Sequence, residues 1–581
     1  MSVGVSSANP VTVEVIRVLL SATVDEIEQN LVRTSYSPVV YEIRDVAVAW
    51  LDVDGQIIAQ GKTGLPIFMA DLSAPVRDGL EIFGIDGFRP GDVVLTNHSG
   101  TCGQHLNNIV VYSPIFGDSG RVLAFTAART HWTDVGGGAV GSWDTESRDI
   151  FSEGIQLRSV KIMKGGEWDE ELLRIIRHNT RFSSEAMGDL NAQVGACRLG
   201  ERRFVDLLTK YGLEVVMDAI HTIWQQSERL AEDFIRKIPD GCYEAETCLD
   251  DDGINIGRPI RVHARVVVSD NTMEIDYSGM SDQVEGPINS GRSGGIAAAR
   301  VAFKYLTTPD FPADEGCFRP LKVTLPEGKF ISAREPAPMG LWSTPLPTVI
   351  DVTLRALSQA IPDTIPAAHM GDQGPWVIQG LREDGSLFYH VDSGAGGMGA
   401  WRGGDGADAV KGLAHGDSYT IPVESEERLY PLRLLFFRLR DGSGGAGEWR
   451  GGLGSERCYE VLQDCTSNLW FDRSVCPPWG LFGGHDGEPS GAVITRPGDA
   501  PEPFRKATGV PLPAGSTLHV WSAGGGGYGD PTQRDPAVVL SDVIRGFVSR
   551  KVAEDVYGIA FAVDDNGRID IDRPATSNRR Q

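Results

Sequence analysis

The sequence predicts a multi-domain α+β protein with a β-rich N-terminal sheet, a helical block and a glycine-rich β part towards the C terminus. Three observations carry this. Apolar residues alternate in short runs closed by turn signals in the N-terminal part. From about Glu167 to Lys237 they recur at helical spacing instead. After residue 393 glycines crowd between strand-like stretches, in a chain where glycine makes up 70 of 581 residues against a usual share of about 7%.

Asn9-Pro10 places a capping residue before a proline suited to a first helical turn, and Ile16, Leu20, Val24, Ile27 and Leu31 then fall on one face of an opening helix. Val46, Val48 and Trp50 alternate, and Asp54-Gly55 separates them from Gln56 to Ala59, which reads as a hairpin. A second hairpin runs from Ile109 to Phe116, turns at Gly117 to Gly120 and returns from Arg121 to Ala128. In the helical block Leu173, Ile176, Leu190, Val194, Leu208, Val216, Ile220 and Trp224 take the buried faces. Beyond Pro239-Asp240-Gly241 come strands at 260–268 and 273–277 and helices near 294–306 and 348–361. Glycine runs at 394–406, 442–454, 480–487 and 524–529 flank strands such as Leu434 to Leu439 and Thr517 to Trp521, and so read as ordered loops on a β scaffold. A short helix at Leu540 to Val548 precedes a polar tail, Asp572 to Gln581, expected to fray. The resulting segments are 1–165 (β-rich, carrying the site), 166–240 (helical), 241–392 (α+β), 393–535 (glycine-rich β) and 536–581 (helix and tail).

Composition narrows the function. A net charge of −25 disfavours a surface for phosphate backbones, so nucleic acid is not expected as a partner. No run approaches the ~20 apolar residues that span a bilayer, and Met1 to Pro10 lacks an export signal; the expectation is a cytoplasmic protein off the membrane. Eight cysteines lie scattered without a Cys-x-x-Cys pair and are expected to be reduced.

Several familiar motifs fail on context. Gly61-Lys62-Thr63 lacks the first glycine of a phosphate loop, because position 56 is Gln56. The runs 394–399 and 442–447 match a dinucleotide fingerprint but open no amphipathic helix. Gly291-Arg292-Ser293-Gly294-Gly295 resembles a nucleophile elbow, yet a poor strand precedes it. Asp250-Asp251-Asp252 reads as a solvated turn, and His369 has no evident partner.

The informative cluster lies between residues 42 and 134. Glu42 and Asp45 open a strand, His98 and His105 flank a glycine loop, and His131 and Asp134 end a strand. Folding the second hairpin about its turn sets His131 opposite Leu106, beside His105, so two distant histidines meet at one sheet end. Imidazole and carboxylate ligands suit Zn²⁺, Mn²⁺ or Fe²⁺. Arg129, two residues from His131, offers a planar fork to an anionic substrate group or an ion pair to a neighbouring acid.

An ordered series of strings from residue 9 to about 560 resembles the hydantoinase B/oxoprolinase family, which includes a subunit of ketone carboxylases. The strings are Asn9-Pro10-Val11-Thr12, Arg33 to Pro38, Glu42-x-x-Asp45, Arg89-Pro90-Gly91-Asp92-Val93, His105-Leu106, His131 with Asp134 to Gly137, Phe151-x-Glu153-Gly154, Gly316 to Pro320, Gly442 to Gly454 and Gly527 to Pro531. The resemblance implies a hetero-oligomer in which a hydantoinase A-like partner uses ATP and Mg²⁺ to phosphorylate the carbonyl oxygen of a small cyclic amide or ketone. This chain would then open a hydantoin, lactam or 5-oxoproline-like ring. Carboxylation of a ketone of acetone or acetophenone type is the alternative, and a non-catalytic scaffold the third reading. The metal ligands it implies are Glu42, His105, position 108 and His131. Position 108, usually aspartate in the family, is Asn108 here, and His98 is a candidate extra ligand. Asp45 and Asp134 are the expected catalytic carboxylates, Arg129 and Trp132 the substrate contacts, with Trp143 as a further wall.

Overall fold

The structure is a computed structural model that describes residues 9–68, 71–416, 418–563 and 568–580. Most of Met1 to Pro10, where no export signal is read, lies outside the described residues. The chain divides into two compact units: Met1–Cys242, Arg265–Ser343 and Leu413–Pro422 in the first, and Tyr243–Ala264, Thr344–Gly412 and Val423–Gln581 in the second.

The first unit is built on a seven-stranded sheet. Helix α1 (Pro10–Thr34) starts where Asn9 accepts the Val11 amide hydrogen, and it buries Ile16, Leu20, Val24, Ile27 and Leu31 as the spacing predicts. A short helix α2 (Pro38–Tyr41) leads into β1 (Val46–Leu51) and β2 (Ile57–Gln60), then α3 (Ser73–Phe83), β3 (Val93–Thr96), α4 (Ser99–Cys102), β4 (Asn108–Phe116), β5 (Val122–His131), β6 (Val160–Lys164) and β7 (Glu167–Trp168). The strand order is β2-β1-β5-β4-β3-β6-β7, with antiparallel neighbours throughout. The predicted helical block follows as α5 (Glu170–His178), α6 (Ser183–Tyr211) and α7 (Leu213–Ile235). Among the described residues no helix is long and apolar enough to cross a membrane.

Helix α6 covers one face of the sheet. From it Gln193 donates to the carbonyls of Ile109 and Ala128, and the Phe204 ring meets Trp50 edge-on at 5.2 Å. Because strand side chains alternate, the residues one step along from these point to the other face, where the site forms. The β4–β5 register differs from the expectation by two residues: His131 pairs with Asn108 rather than Leu106, because the turn closes one residue later, with the Gly117 amide donating to the Arg121 carbonyl, and a bulge at Ile115/Phe116 adds one more. A shift of two preserves the face, so His131 still points towards His105.

Past α7, β8 (Gly241–Leu249) and β9 (Ile260–Ser269) follow. Within the first unit, the end of β9 pairs antiparallel with β10 (Thr272–Asp276), which runs parallel to β11 (Leu321–Thr324). Helix α8 (Arg292–Thr307) starts at the supposed nucleophile elbow. There Ser293 donates to the Cys102 carbonyl, so that serine ties two segments together.

The second unit contains α9 (Leu346–Ala356), β12 (Pro375–Leu381), β13 (Leu387–Ser393), α10 (Val423–Leu429), β14 (Leu432–Leu439), β15 (Ser455–Val461), β16 (Cys465–Trp470), β17 (Gly491–Thr495), β18 (Glu502–Phe504), β19 (Lys506–Leu512) and β20 (Thr517–Trp521). Its sheets run β13-β12-β16-β19 and β14-β15-β20-β17-β18. The glycine runs are ordered and lie against one another. Gly452 donates to Met398, Gly525 to Gly452 and Gly445 to Gly525. A Cβ on Gly397 would fall 1.9 Å from the Gly452 carbonyl oxygen, and one on Gly525 2.0 Å from that of Met398. Glycine is required here because backbone packs directly on backbone.

Three expectations are overturned in this unit, one of them the solvated turn at Asp250, Asp251 and Asp252, which are buried. Cys248 and Cys476 form a disulfide across 228 residues, rather than staying reduced. The Asp250 carboxylate accepts the amide hydrogens of Ser474, Val475 and Cys476, which brings the two Cα atoms to 6.3 Å, a pairing that spacing in sequence cannot reveal. The polar tail is not frayed over its described part: Arg573–Arg579 is helical, Asp572 caps it, and Arg580 donates to the carbonyls of Tyr557 and Arg534.

Candidate active site

The site begins as a row across three strands. The His131 amide donates to the Asp45 carbonyl at the mouth of β1, and on its other side His131 pairs with Asn108 of β4. Alternation puts Asp45, His131 and Asn108 on one face, away from α6. His105, in the loop before β4, packs over this row with its ring centroid 4.7 Å from that of His131, edge to face.

Aromatic rings stand around the pair. Trp143 and Trp342 meet His105 edge-on at 5.9 and 6.1 Å, and Phe68 stacks on Trp342 at 6.2 Å. The Gly340 carbonyl accepts from His105 Nδ1 at 3.2 Å, so the proton sits on Nδ1 and the Nε2 lone pair stays free. Gly340 and Met339 in turn donate their amide hydrogens to Glu153 Oε1, each at 2.9 Å.

Burial sets the protonation states. It pulls the His105 pKa down to about 4 and that of His131 well below the ordinary value, with the neighbouring His105 adding to the latter. Both rings are therefore neutral near pH 7. Burial pushes the Asp45 carboxyl up to about 7 against the pull of Arg129. Among the described residues, His105 Nε2, both ring nitrogens of His131, Asn108 Oδ1 and Asp45 Oδ1 are buried with no hydrogen-bond partner. Unprotonated imidazoles with free lone pairs are the form that ligates a divalent cation, so this donor set fits one. It is a sparse set: among the described residues no three His, Cys, Asp or Glu side chains gather as a metal cluster.

Other expected site residues take different roles. Glu42 closes α2, where its charge helps raise the Tyr41 pKa behind the larger effect of burial, and it is not gathered with the histidines into a metal cluster. His98 is held by other partners: its Nε2 meets Glu335 at 2.9 Å and its Nδ1 meets Thr101 at 3.0 Å. Asp134 accepts the Arg181 amide hydrogen at 2.6 Å, fixing the chain before α6 rather than facing the histidines. Arg129 is wholly buried, ion-paired with Asp71 and laid over the Phe68 ring at 4.7 Å, so it acts as an internal counter-ion and not as an exposed anion clamp. Trp132 points to the α6 face and donates to Gln193 at 3.1 Å, one alternation step away from the site. His369 is paired with Asp351 in the second unit.

Sequence reasoning missed Trp342, Gly340 and Asp71, which lie far from both histidines in sequence, and Gln104, the neighbour of His105, whose amide accepts from Asn108 and donates to Asp71. The Phe151-x-Glu153-Gly154 string does contain a signal: an acid directly before a glycine held at φ 138°.

Fold and site together define an α+β protein with a buried, neutral histidine pair walled by tryptophans at a sheet end. The chain belongs to the hydantoinase B/oxoprolinase family, whose model matches residues 9–531. It is 29% identical to the B subunit of a putative D-/L-hydantoinase of Pseudomonas sp. strain NS671, covering 97% of each chain. It is 30% identical to the beta subunit of the caprolactamase of Pseudomonas jessenii, over 97% of this chain and 98% of that one. The crystal structure of the ATP-dependent caprolactamase from that organism superposes with a TM-score of 0.92 at 30% identity, covering 99% of this chain and 100% of that chain. A nucleotide-free acetone carboxylase shares the fold, with a TM-score of 0.90 at 18% identity over 98% of this chain and 82% of that one.

Proposed function

We propose that this chain is the hydantoinase B-like subunit of an ATP-dependent cyclic amidase, opening a hydantoin, lactam or 5-oxoproline-like ring whose carbonyl oxygen a hydantoinase A-like partner has phosphorylated. The observation that carries the reading is the buried His105–His131 pair with free lone pairs, in a chain similar end to end to the beta subunit of a caprolactamase. Two of its relatives are themselves named as one subunit of their enzymes, which supports a partner chain.

Phosphorylation makes the inert amide carbon electrophilic. Trp143, Trp342 and Phe68 exclude bulk water around the ring, and Asp45, with a pKa close to neutrality, accepts a proton from the attacking water. The new C–O bond forms, the ring C–N bond breaks, and the nitrogen leaves with the proton that Asp45 returns; the acyl phosphate left on the opened chain then takes a second water, which releases inorganic phosphate and the carboxylate. His105, His131 and Asn108 would hold a divalent cation, Zn²⁺, Mn²⁺ or Fe²⁺, which supplies Lewis-acid polarisation when bound.

The test is the complex purified with its partner and assayed for ATP turnover on lactams, hydantoins, 5-oxoproline and ketones, with and without bicarbonate. Ring opening independent of bicarbonate is expected. Turnover that requires a ketone and bicarbonate would overturn the reading in favour of a carboxylase.

A further inference from the structure

We propose that Glu153 is a positioning residue for this site: through the Met339–Trp342 turn it fixes His105 in the tautomer that leaves Nε2 free. The proposal gives Glu153 a part in the amidase reaction above, but the state of His105 can be read without any turnover.

The geometry is a two-step relay. Glu153 closes the short helix Ile150–Glu153, and its Oε1 accepts from the amides of Met339 and Gly340 and from the Ser147 hydroxyl at 3.0 Å. The Ile150 amide donates to the Pro336 carbonyl at 2.9 Å, so the two segments are joined at both ends. The Gly340 carbonyl then receives His105 Nδ1–H. Gly340 has no room for a side chain, since a Cβ would sit 2.4 Å from the Ser142 carbonyl oxygen, and this presses the turn into one place. The same turn carries Trp342 against His105 and Phe68.

A ring nitrogen's partner sets the tautomer of a neutral histidine. Remove the Glu153 acceptor and two buried amide hydrogens lose their partner, the turn relaxes, and Nδ1 loses its fixed carbonyl. His105 then divides between tautomers, and in one of them Nε2 carries the proton and cannot donate its lone pair. Glu153 Oε2 is buried and has no hydrogen-bond partner among the described residues, and burial lifts the carboxyl to about 8, so the group works in its neutral form. A glutamine reproduces that form; an alanine does not, and an aspartate is too short to reach both amides.

The experiment labels the full chain with ring-¹⁵N histidine and assigns His105 by its loss in His105→Asn. The parent should show His105 protonated on Nδ1 alone. Glu153→Ala should show mixed tautomers, with partner-coupled kcat down ~10–100-fold, and Glu153→Gln should restore both. If Glu153→Ala does not fold, Glu153→Asp takes its place with the same expected signature. Retention of the pure Nδ1–H signal in the alanine or aspartate variant, or failure of the glutamine variant to restore it, would overturn the proposal. A complex that opens no cyclic amide would defeat the amidase reading and leave the tautomer result to decide this one.

Discussion

Two buried histidines, one in each unit, show what separates a structural imidazole from a reactive one. His390 in β13 is fully buried and gives its Nε2 to Glu426 at 2.9 Å, with Tyr459 on the same carboxylate. His131 in β5 is equally buried, yet neither of its ring nitrogens has a partner among the described residues. Burying a polar group without a partner costs stability. His390 meets that cost at Nε2 and leaves only Nδ1 without a partner among the described residues; His131 leaves both nitrogens open at one sheet end, as a site that a ligand completes does.

The sharpest way to break the comparison is to truncate each ring. His131→Ala should lower partner-coupled ring opening by about 100-fold or more, the usual scale for losing a group that acts on the reacting atoms, while the unfolding temperature stays the same or rises. His390→Ala should do the reverse, costing about 1–3 kcal/mol by taking away the imidazole partner of the buried Glu426 and leaving it Tyr459, with kcat per folded molecule intact. Thermal melts and turnover on the same two samples check it. If His390→Ala abolished turnover without destabilising the chain, the distinction would fail.

The glycine-rich part of the second unit is the next target. Gly525→Ala would place a Cβ 2.0 Å from the Met398 carbonyl oxygen, a backbone atom that cannot rotate away. The expected loss is at or above the ~1–3 kcal/mol typical of overpacking, seen as a lower urea midpoint. Gly385→Ala, where a Cβ meets nothing within 4 Å, should cost much less, although its φ of 79° carries backbone strain.

Much of this was legible in the sequence, and what was not has a common cause. The opening helix, both hairpins and the helical block follow from periodicity, because each is stabilised by contacts near in sequence. The meeting of His105 and His131 survived a register error because the turn and the bulge each moved the pairing by one residue, two in all. Trp132 was misplaced by a single alternation step, and of the two roles open to Arg129, an anion clamp or an ion pair to a neighbouring acid, Asp71 supplies the second. Trp342 and the disulfide rest on long-range closure, which no local pattern encodes.

A pH titration sharpens the picture at smaller amplitude. Glu153 is raised from 4.5 to about 8, burial being the largest cause, so between those values the folded state holds a proton that the unfolded state has released. Its contribution to stability is therefore fully present below about pH 4.5 and is lost as pH rises through about 8. Chemical-denaturation curves of the parent between pH 5 and 9 should contain this decline, and Glu153→Gln should flatten it.

The smallest effect is expected at His98. Its ring is bound on both sides, by Glu335 and by Thr101, and the His98–Glu335 pair is partly exposed. Partly exposed pairs are worth about 1 kcal/mol or less, so His98→Ala should lower stability by no more than that. Because neither of its nitrogens points free into the site, the variant should also bind as much divalent metal per chain as the parent, measured by elemental analysis after equilibration with Zn²⁺. A His98→Ala chain that lost its metal while His131→Ala kept it would reverse the assignment, and would mean that the ring seen paired with Glu335 turns inward when the site is filled.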